Sequence, residues 1–360
     1  MDKRTHEHHM RRALDLARRA SFTSPNPKVG CVLVRDGDTL GEGHHAGAGS
    51  PHAEIVALRS ASETRGATAY VTLEPCTHDG RTPPCAPALI EAGIERVVVA
   101  MSDPDARVGG KGVEQLARAG VEVVTGVLEP EALILNRTYI HHRLTGRPFV
   151  SLKLALSLDG RLAAPDGSAR WITGPGARGA THLRRMEADA VVVGSGTALA
   201  DDPALTVRDV AATRQPARVL VDSSGRTPPS ARIFGDGDVV VVTTDASSHE
   251  AQTGWKETGA EVLVAPRSAD GVDLAAMLDV LGQRDWLELY VEGGGRFATS
   301  LLKADLVDRL DIHHGPVILG RGGPEIGDIA VATMDNARSW RLMSTEAIDD
   351  DVLLSYERVR

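Results

Sequence analysis

Apolar residues recur at helical spacing behind a polar start, with Met10, Leu14 and Ala17 on one face, so the chain opens with an amphipathic helix. Residues 29–34, an Asp36-Gly37 turn and residues 39–43 then read as a β-hairpin, by alternation and by turn chemistry. From there helix candidates at 53–60, 87–92 and 112–119 alternate with short β-branched runs at 69–73, 96–100 and 121–124. That rhythm predicts a mostly parallel sheet covered by helices, closed by one helix over 130–144. Thr145-Gly146-Arg147-Pro148 interrupts the pattern, and a fresh strand begins at 149–154, which sets a domain boundary there. A second α/β unit follows, with strands at 190–193, 218–222, 239–243, 261–264 and 287–292 between helical stretches such as 176–187 and 274–281. Two further stretches, 309–313 and 352–358, read as closing antiparallel strands, and no internal repeat or low-complexity tract is visible.

Composition narrows this picture. At 360 residues, with 42% hydrophobic and 25% charged positions, the chain is globular material too long for one core, so the class is α/β with two domains. No apolar run reaches the roughly 18 residues that a membrane span needs, and the start is polar and His-rich, so the expectation is a soluble, cytoplasmic protein. His6, His8 and His9 could bind metal in isolation but read as an exposed, frayed terminus. A formal net charge of −9 without clustered Lys and Arg argues against nucleic acid and for a small-molecule substrate. The three cysteines cannot all pair, which favours thiol or metal chemistry for two of them.

That chemistry has a specific pattern. Pro51-His52-Ala53-Glu54, followed by Glu74-Pro75-Cys76 and then Cys85, is the His-x-Glu and Pro-Cys signature of zinc deaminases. One imidazole and two thiolates leave the fourth tetrahedral position open, as a catalytic zinc requires, and Glu54 is placed as the base for a metal-activated water. On a regular helix His52 and Glu54 would point about 200° apart, so they can share a site only if the ion sits off the helix N-terminus. The alternative is a closed structural site with His45 or His78 as fourth ligand. Cys31, alone in a strand, reads as a small core residue.

The second half offers softer signals. Val291-Glu292-Gly293-Gly294-Gly295 follows a strand and could bring backbone amides to a phosphate, or be a plain turn. Asp201-Asp202-Pro203 could be a helix cap, and Trp171-Ile172-Thr173 stands out only by composition.

On these residues the chain resembles the bifunctional riboflavin-biosynthesis deaminase/reductase family over nearly its whole length. The likeness rests on Gly80-Arg81-Thr82-Pro83-Pro84-Cys85, on eight residues between Cys76 and Cys85, on Pro25-Asn26-Pro27 with Val29-Gly30, and on Gly41-Glu42-Gly43 with His45. It implies two three-layer domains, a zinc-dependent cytidine deaminase-like one over 1–146 and an NADPH-dependent dihydrofolate reductase-like one over 147–360. In the first, the resemblance implies one zinc ion on His52, Cys76 and Cys85, Glu54 as catalytic base, and Asn26, His45, His78 and Arg81 around a pyrimidinone carrying a ribosylamino phosphate. In the second it implies Ala155, Trp171, Thr197, Asp201, Gly294, Gly295, Arg296, Phe297, Ala298, Thr299 and Ser300 along NADPH, with Ser223 at its extra phosphate. Ala169, Arg185, Leu205, Arg208 and Glu292 would meet the sugar phosphate, and Lys153 or Glu292 would handle a proton. A homo-oligomer is the family's habit. Two other readings remain: a nucleoside or nucleic-acid deaminase with an unrelated second domain, and a second domain that senses NADPH without turning it over.

Overall fold

Alternation along one strand sorts side chains onto two buried faces, and this organises each half of the chain. The computed structural model describes residues 3–77, 83–105 and 109–359. The chain divides into two compact units, Met1–Gly146 and Arg147–Arg360.

The first unit runs α1 (Lys3–Arg18), β1 (Gly30–Arg35), β2 (Asp38–His44), α2 (Ala53–Ser60), β3 (Thr68–Leu73), α3 (Cys85–Glu91), β4 (Arg96–Met101), α4 (Lys111–Arg118), β5 (Glu122–Thr125), α5 (Glu129–Leu135) and α6 (Arg137–Thr145). Its sheet has the order β2-β1-β3-β4-β5. Cys31, Leu33, Val71 and Val97 pack with Ala57, Leu89 and Leu116 of α2, α3 and α4. Val32, Val34, Tyr70 and Val98 pack with Leu14 and Ala132 of α1 and α5, which completes three layers. Three expectations change. The sheet is mixed rather than mostly parallel, because β1 runs antiparallel to both β2 and β3 and only β3, β4 and β5 run parallel. The single closing helix is two, broken at Asn136, whose backbone leaves the helical region at φ −106 and ψ 17. The break serves the side chain: its Oδ1 accepts from Lys28 N at 2.8 Å and its Nδ2 donates to Lys28 O at 3.0 Å. Finally, the histidines of α1 do not fray. His9 is buried, 4.9 Å from the Tyr70 ring between centroids, and His6 meets the Tyr70 hydroxyl at 3.1 Å.

The second unit runs β6 (Phe149–Leu156), α7 (Pro175–Glu187), β7 (Ala190–Gly194), α8 (Ser195–Asp201), β8 (Ala217–Val221), β9 (Val239–Thr243), α9 (His249–Glu257), β10 (Glu261–Val264), a small hairpin of β11 (Arg267–Ser268) and β12 (Gly271–Val272), α10 (Leu274–Gly282), β13 (Glu288–Val291), α11 (Gly295–Lys303), β14 (Arg309–His314), β15 (Trp340–Ile348) and β16 (Asp351–Arg358). Its large sheet has the order β10-β9-β8-β7-β13-β6-β14-β16-β15. The strands at 309–313 and 352–358 pair antiparallel with each other as expected, while β14 also runs parallel to β6 on its other side, so within the large sheet β16 alone runs against the rest. One face packs Leu152, Val192, Val219 and Val291 against Leu278 and Leu301 of α10 and α11. The other packs Val191, Val193, Leu220 and Val241 against Ala198 and Trp255 of α8 and α9. α7 contributes charge instead, Arg184 and Arg185 reaching Glu288 and Glu292 of β13 and its end.

Candidate active sites

In the first unit three ligand atoms, from His52, Cys76 and Cys85, lie within 4.8 Å of one another. His52 Nδ1 is 3.2 Å from Cys85 Sγ and 3.5 Å from Cys76 Sγ. His52 is the residue before α2, with extended backbone at φ −67 and ψ 158, so the helical rotation between it and Glu54 does not apply. Cys85 opens α3, and its backbone N–H donates to Cys76 Sγ at 3.4 Å. A close approach underlies this placement: a Cβ on Gly43 would lie 2.3 Å from Ala53 O, so only glycine lets α2 start against β2.

The donor set fits a soft dication. The Cys76 thiol is pulled down to about 4, first by its hydrogen bond with Cys85 and then by His52. That same bond, together with burial, pushes the Cys85 thiol up. Two sulfurs this close favour holding one negative charge between them, and a zinc ion would supply the positive charge that lets both be thiolates. Among the described residues no fourth His, Cys, Asp or Glu joins the set. Glu54, 3% exposed, hydrogen-bonds with Cys85, and burial followed by the nearby Cys76 charge raises its carboxyl to about 7.

His45 is committed elsewhere. Its Nδ1 faces Pro51 O at 3.1 Å, which can only accept, so Nε2 accepts from the Asn26 amide at 2.9 Å. Its ring stands edge-on to His52 with centroids 5.5 Å apart, which brings Asn26 and His45 to the metal set. His78 and Arg81 lie outside the described residues. Composition gave no hint of Glu74, whose two oxygens accept from Asp103 N, Gly110 N, Gly112 N and Val113 N, tying the Cys76 loop to the start of α4. An acidic residue ahead of Pro-Cys is the signal that could have flagged it.

In the second unit a cavity of about 560 Å³ is lined by Ala155, Ala169, Trp171, Arg185, Thr197, Asp201, Leu205, Arg208, Glu292 and Gly294, along with Lys153 and His182. Arg185 and Glu292 form its floor as a two-pronged ion pair. Although burial raises the Glu292 carboxyl, Arg185 and Lys153 hold it below its usual value, and burial lowers the Lys153 ammonium. The exposed Trp171 ring lies under the Arg178 guanidinium at 4.2 Å. Arg178, Thr181, His182 and Arg185 all line the cavity from α7. Their spacing of three and four residues is the polar-face signal that motif reading passed over.

The other expected cofactor residues fall differently. Ser223 Oγ accepts from Val272 N at 3.0 Å, away from the cavity lining. The segment read as a glycine turn is the start of α11, with extended Gly294 before it and its N–H on Thr197 Oγ1 at 2.9 Å. Gly295, Arg296, Phe297, Ala298, Thr299 and Ser300 are therefore helical, and only Gly293 and Gly294 reach the cavity lining. Ala298 is fully buried in the core and Phe297 packs against it, while Ser300 Oγ donates to Arg296 O at 3.1 Å and Thr299 Oγ1 accepts from Gly327 N at 2.8 Å. Asp201 ends α8 and Asp202 follows as its C-cap at φ 41, so the segment is a helix cap, at the C-terminal end, and Asp201 also lines the cavity.

A His/Cys/Cys set beside a buried carboxylate, joined in one chain to an α/β domain with a charged cleft at the end of its central strands, defines a zinc-dependent deaminase coupled to a reductase. Comparison with known proteins agrees. The family model "Cytidine and deoxycytidylate deaminase zinc-binding region" matches residues 3–101, and "RibD C-terminal domain" matches residues 148–354. The riboflavin biosynthesis protein RibD of Aquifex aeolicus is 42% identical, with 98% of each chain covered. Acinetobacter baumannii RibD, in its form 1 structure, is 37% identical over the whole of both chains with a TM-score of 0.91. The Thermotoga maritima diaminohydroxyphosphoribosylaminopyrimidine deaminase/5-amino-6-(5-phosphoribosylamino)uracil reductase is 34% identical, with 99% of each chain covered and a TM-score of 0.86. The chain belongs to the riboflavin biosynthesis protein RibD family. It is an enzyme with a cytidine deaminase-like first domain and a RibD-type reductase second domain, the former a zinc-binding region and the latter of the type that uses NADPH.

Proposed function

We propose that residues 1–146 deaminate 2,5-diamino-6-(5-phosphoribosylamino)pyrimidin-4(3H)-one and residues 147–360 reduce the product's ribosyl group to ribityl, giving 5-amino-6-(5-phosphoribitylamino)uracil. The observation that carries this reading is the open three-ligand set beside Glu54. His52, Cys76 and Cys85 hold the zinc, which when bound supplies Lewis-acid activation of water. Glu54 takes the proton released and passes it to the ring and the departing ammonia, a role suited to a carboxyl held near 7 by burial. Asn26 and His45 orient the base, with His78 and Arg81 completing the contacts to base and phosphate.

In the second domain Ala155, Trp171, Thr197, Asp201 and the Gly294 end of α11 hold NADPH, which supplies the hydride when bound. The α11 residues beyond Gly294 act from behind the cleft, by holding the helix whose Gly294 end meets the cofactor. Arg185, Arg208, Leu205, Ala169 and Glu292 orient the sugar phosphate, and Lys153 or Glu292 exchanges the proton that accompanies hydride arrival at the sugar's first carbon. We further propose a cytoplasmic homo-oligomer with no nucleic-acid partner, in keeping with the net charge of −9.

The test supplies the diaminopyrimidinone ribosylamino phosphate with NADPH and follows ammonia and absorbance together. Ammonia release should precede NADPH loss. Ammonia without any NADPH oxidation would instead favour a sensing second domain.

A further inference from the structure

The base-binding side of the deaminase pocket is built on a loop that has little regular structure of its own. Asn26 sits in that loop, its N–H on Thr23 O at 2.9 Å and its carbonyl accepting from Thr23 Oγ1 at 2.8 Å. Its side-chain amide donates to His45 Nε2 at 2.9 Å, and His45 is in turn held by Pro51 O. These local contacts close the loop on one side. On the other side, α6 reaches across from a point more than a hundred residues later in the chain.

Two residues of the α5–α6 region make that reach, and a third anchors the helix beside them. Asn136, 2% exposed, matches its amide to both backbone groups of Lys28, accepting from N at 2.8 Å and donating to O at 3.0 Å. Arg143 Nη2 donates to Pro25 O at 3.1 Å, and its guanidinium lies 5.0 Å from the Tyr139 ring centre. Tyr139 Oη donates to Asp103 Oδ1 at 3.1 Å, fixing the same face of the helix to the loop after β4. The positions 136, 139 and 143 share one helical face, so a rigid element grips the loop on both sides of Asn26.

We propose that Asn136 is a positioning residue for deamination: it sets the height and orientation of the Asn26 amide through Lys28, and the interruption between α5 and α6 exists to aim it. This rests on the reading of Asn26 as a substrate contact. An amide is the one side chain of this length that both donates and accepts, so it can pair with a peptide group as a neighbouring strand would. An uninterrupted helix would need Asn136 at helical φ and ψ, whereas the residue stands at φ −106 and ψ 17. The cost of breaking the helix is offset by satisfying two part-buried backbone groups.

The experiment is a double-mutant cycle in the full-length, zinc-loaded enzyme. Asn136→Ala, Asn26→Ala and the double variant are assayed for deaminase KM and kcat and for zinc per chain, with the melting temperature of the first domain as the folding control and NADPH oxidation on supplied deaminated substrate as the check on the second. Asn136→Ala should raise KM about tenfold, the scale of one misplaced hydrogen bond, with kcat within about threefold and zinc unchanged. In the Asn26→Ala background the same substitution should add less than about twofold, because the two act through one contact. Asn136→Asp keeps the acceptor for Lys28 N–H but sets a carboxylate oxygen against Lys28 O in place of the donor; it too should raise KM, and it carries the test if the alanine variant aggregates. If Asn26→Ala raises KM while the Asn136 variants leave it unchanged, or if the two effects multiply, the positioning role is overturned. If Asn26→Ala itself leaves KM untouched, the reading of Asn26 falls first and the proposal falls with it.

Discussion

Arg185 grips Glu292 with two prongs, Nη2 lying 2.9 Å from Oε2 while Nε meets the other oxygen, and its third nitrogen donates to Thr206 O at 2.8 Å. The helix α7 and the strand end after β13 are thereby locked at the floor of the cleft. Both partners are largely buried, so removing one strands the other without a counter-charge.

Glu292→Ala should therefore destabilise the second domain by about 3–5 kcal/mol and abolish NADPH oxidation. Urea unfolding with a domain-specific probe reads the first effect. A change below about 1 kcal/mol would mean that the pair is not an anchor.

Glu54→Gln keeps the volume of the side chain but cannot carry the proton. Zinc should stay bound while deamination falls by about 10²–10⁴-fold. NADPH oxidation on supplied deaminated substrate should be unaffected, and near-normal ammonia release would remove Glu54 from the mechanism.

Gly112 lies so close to the cysteine loop that an added Cβ would stand 2.0 Å from Pro75 O and 3.2 Å from Glu74 Oε1. Gly112→Ala must push α4 away from the loop that carries Cys76. We expect about 1–3 kcal/mol of destabilisation and weakened zinc retention under a chelator, with the reductase intact. Unchanged zinc retention would show that the loop is held by other means.

The Asp103 carboxyl is raised by burial to about 6 from its ordinary 3.8, while Oδ1 accepts from Tyr139 Oη and Asp105 N. The folded state therefore keeps a proton that the unfolded chain has already lost, and the stability contributed by this group is present below about pH 4 and lost as pH rises through about 6. Asp103→Asn preserves both contacts to Oδ1 and removes the titration. The melting temperature of the first domain, compared at pH 5 and pH 7, should drop more in the unchanged protein than in the variant. Parallel profiles would refute the assignment.

How much of this was legible from residues alone follows the range of the forces involved. Local signals did well: α2, β9 and β10 begin and end where alternation and caps put them, and His52, Cys76 and Cys85 converge although the sequence separates them. What escaped was set by distant partners. Asn136 breaks a helix for the sake of Lys28, and nothing near it in sequence announces that. β15 is an edge strand with mostly exposed residues, so it carries no hydrophobic alternation to read. Three glycines after β13 read as a turn in sequence, yet Gly294 and Gly295 start α11, whose apolar face supplies the stability that glycine's low helix propensity withholds.

The place of β6 in its sheet has a consequence for biogenesis. The first strand of the second unit lies between β13 and β14, so neither neighbour exists until translation has passed Glu288 and Arg309. The nascent first domain, whose five strands end at Thr125, can assemble on the ribosome while its successor is still a tethered, unpaired segment. Such long-range closure makes the second domain the slower to mature and the one that gains most from chaperone cover.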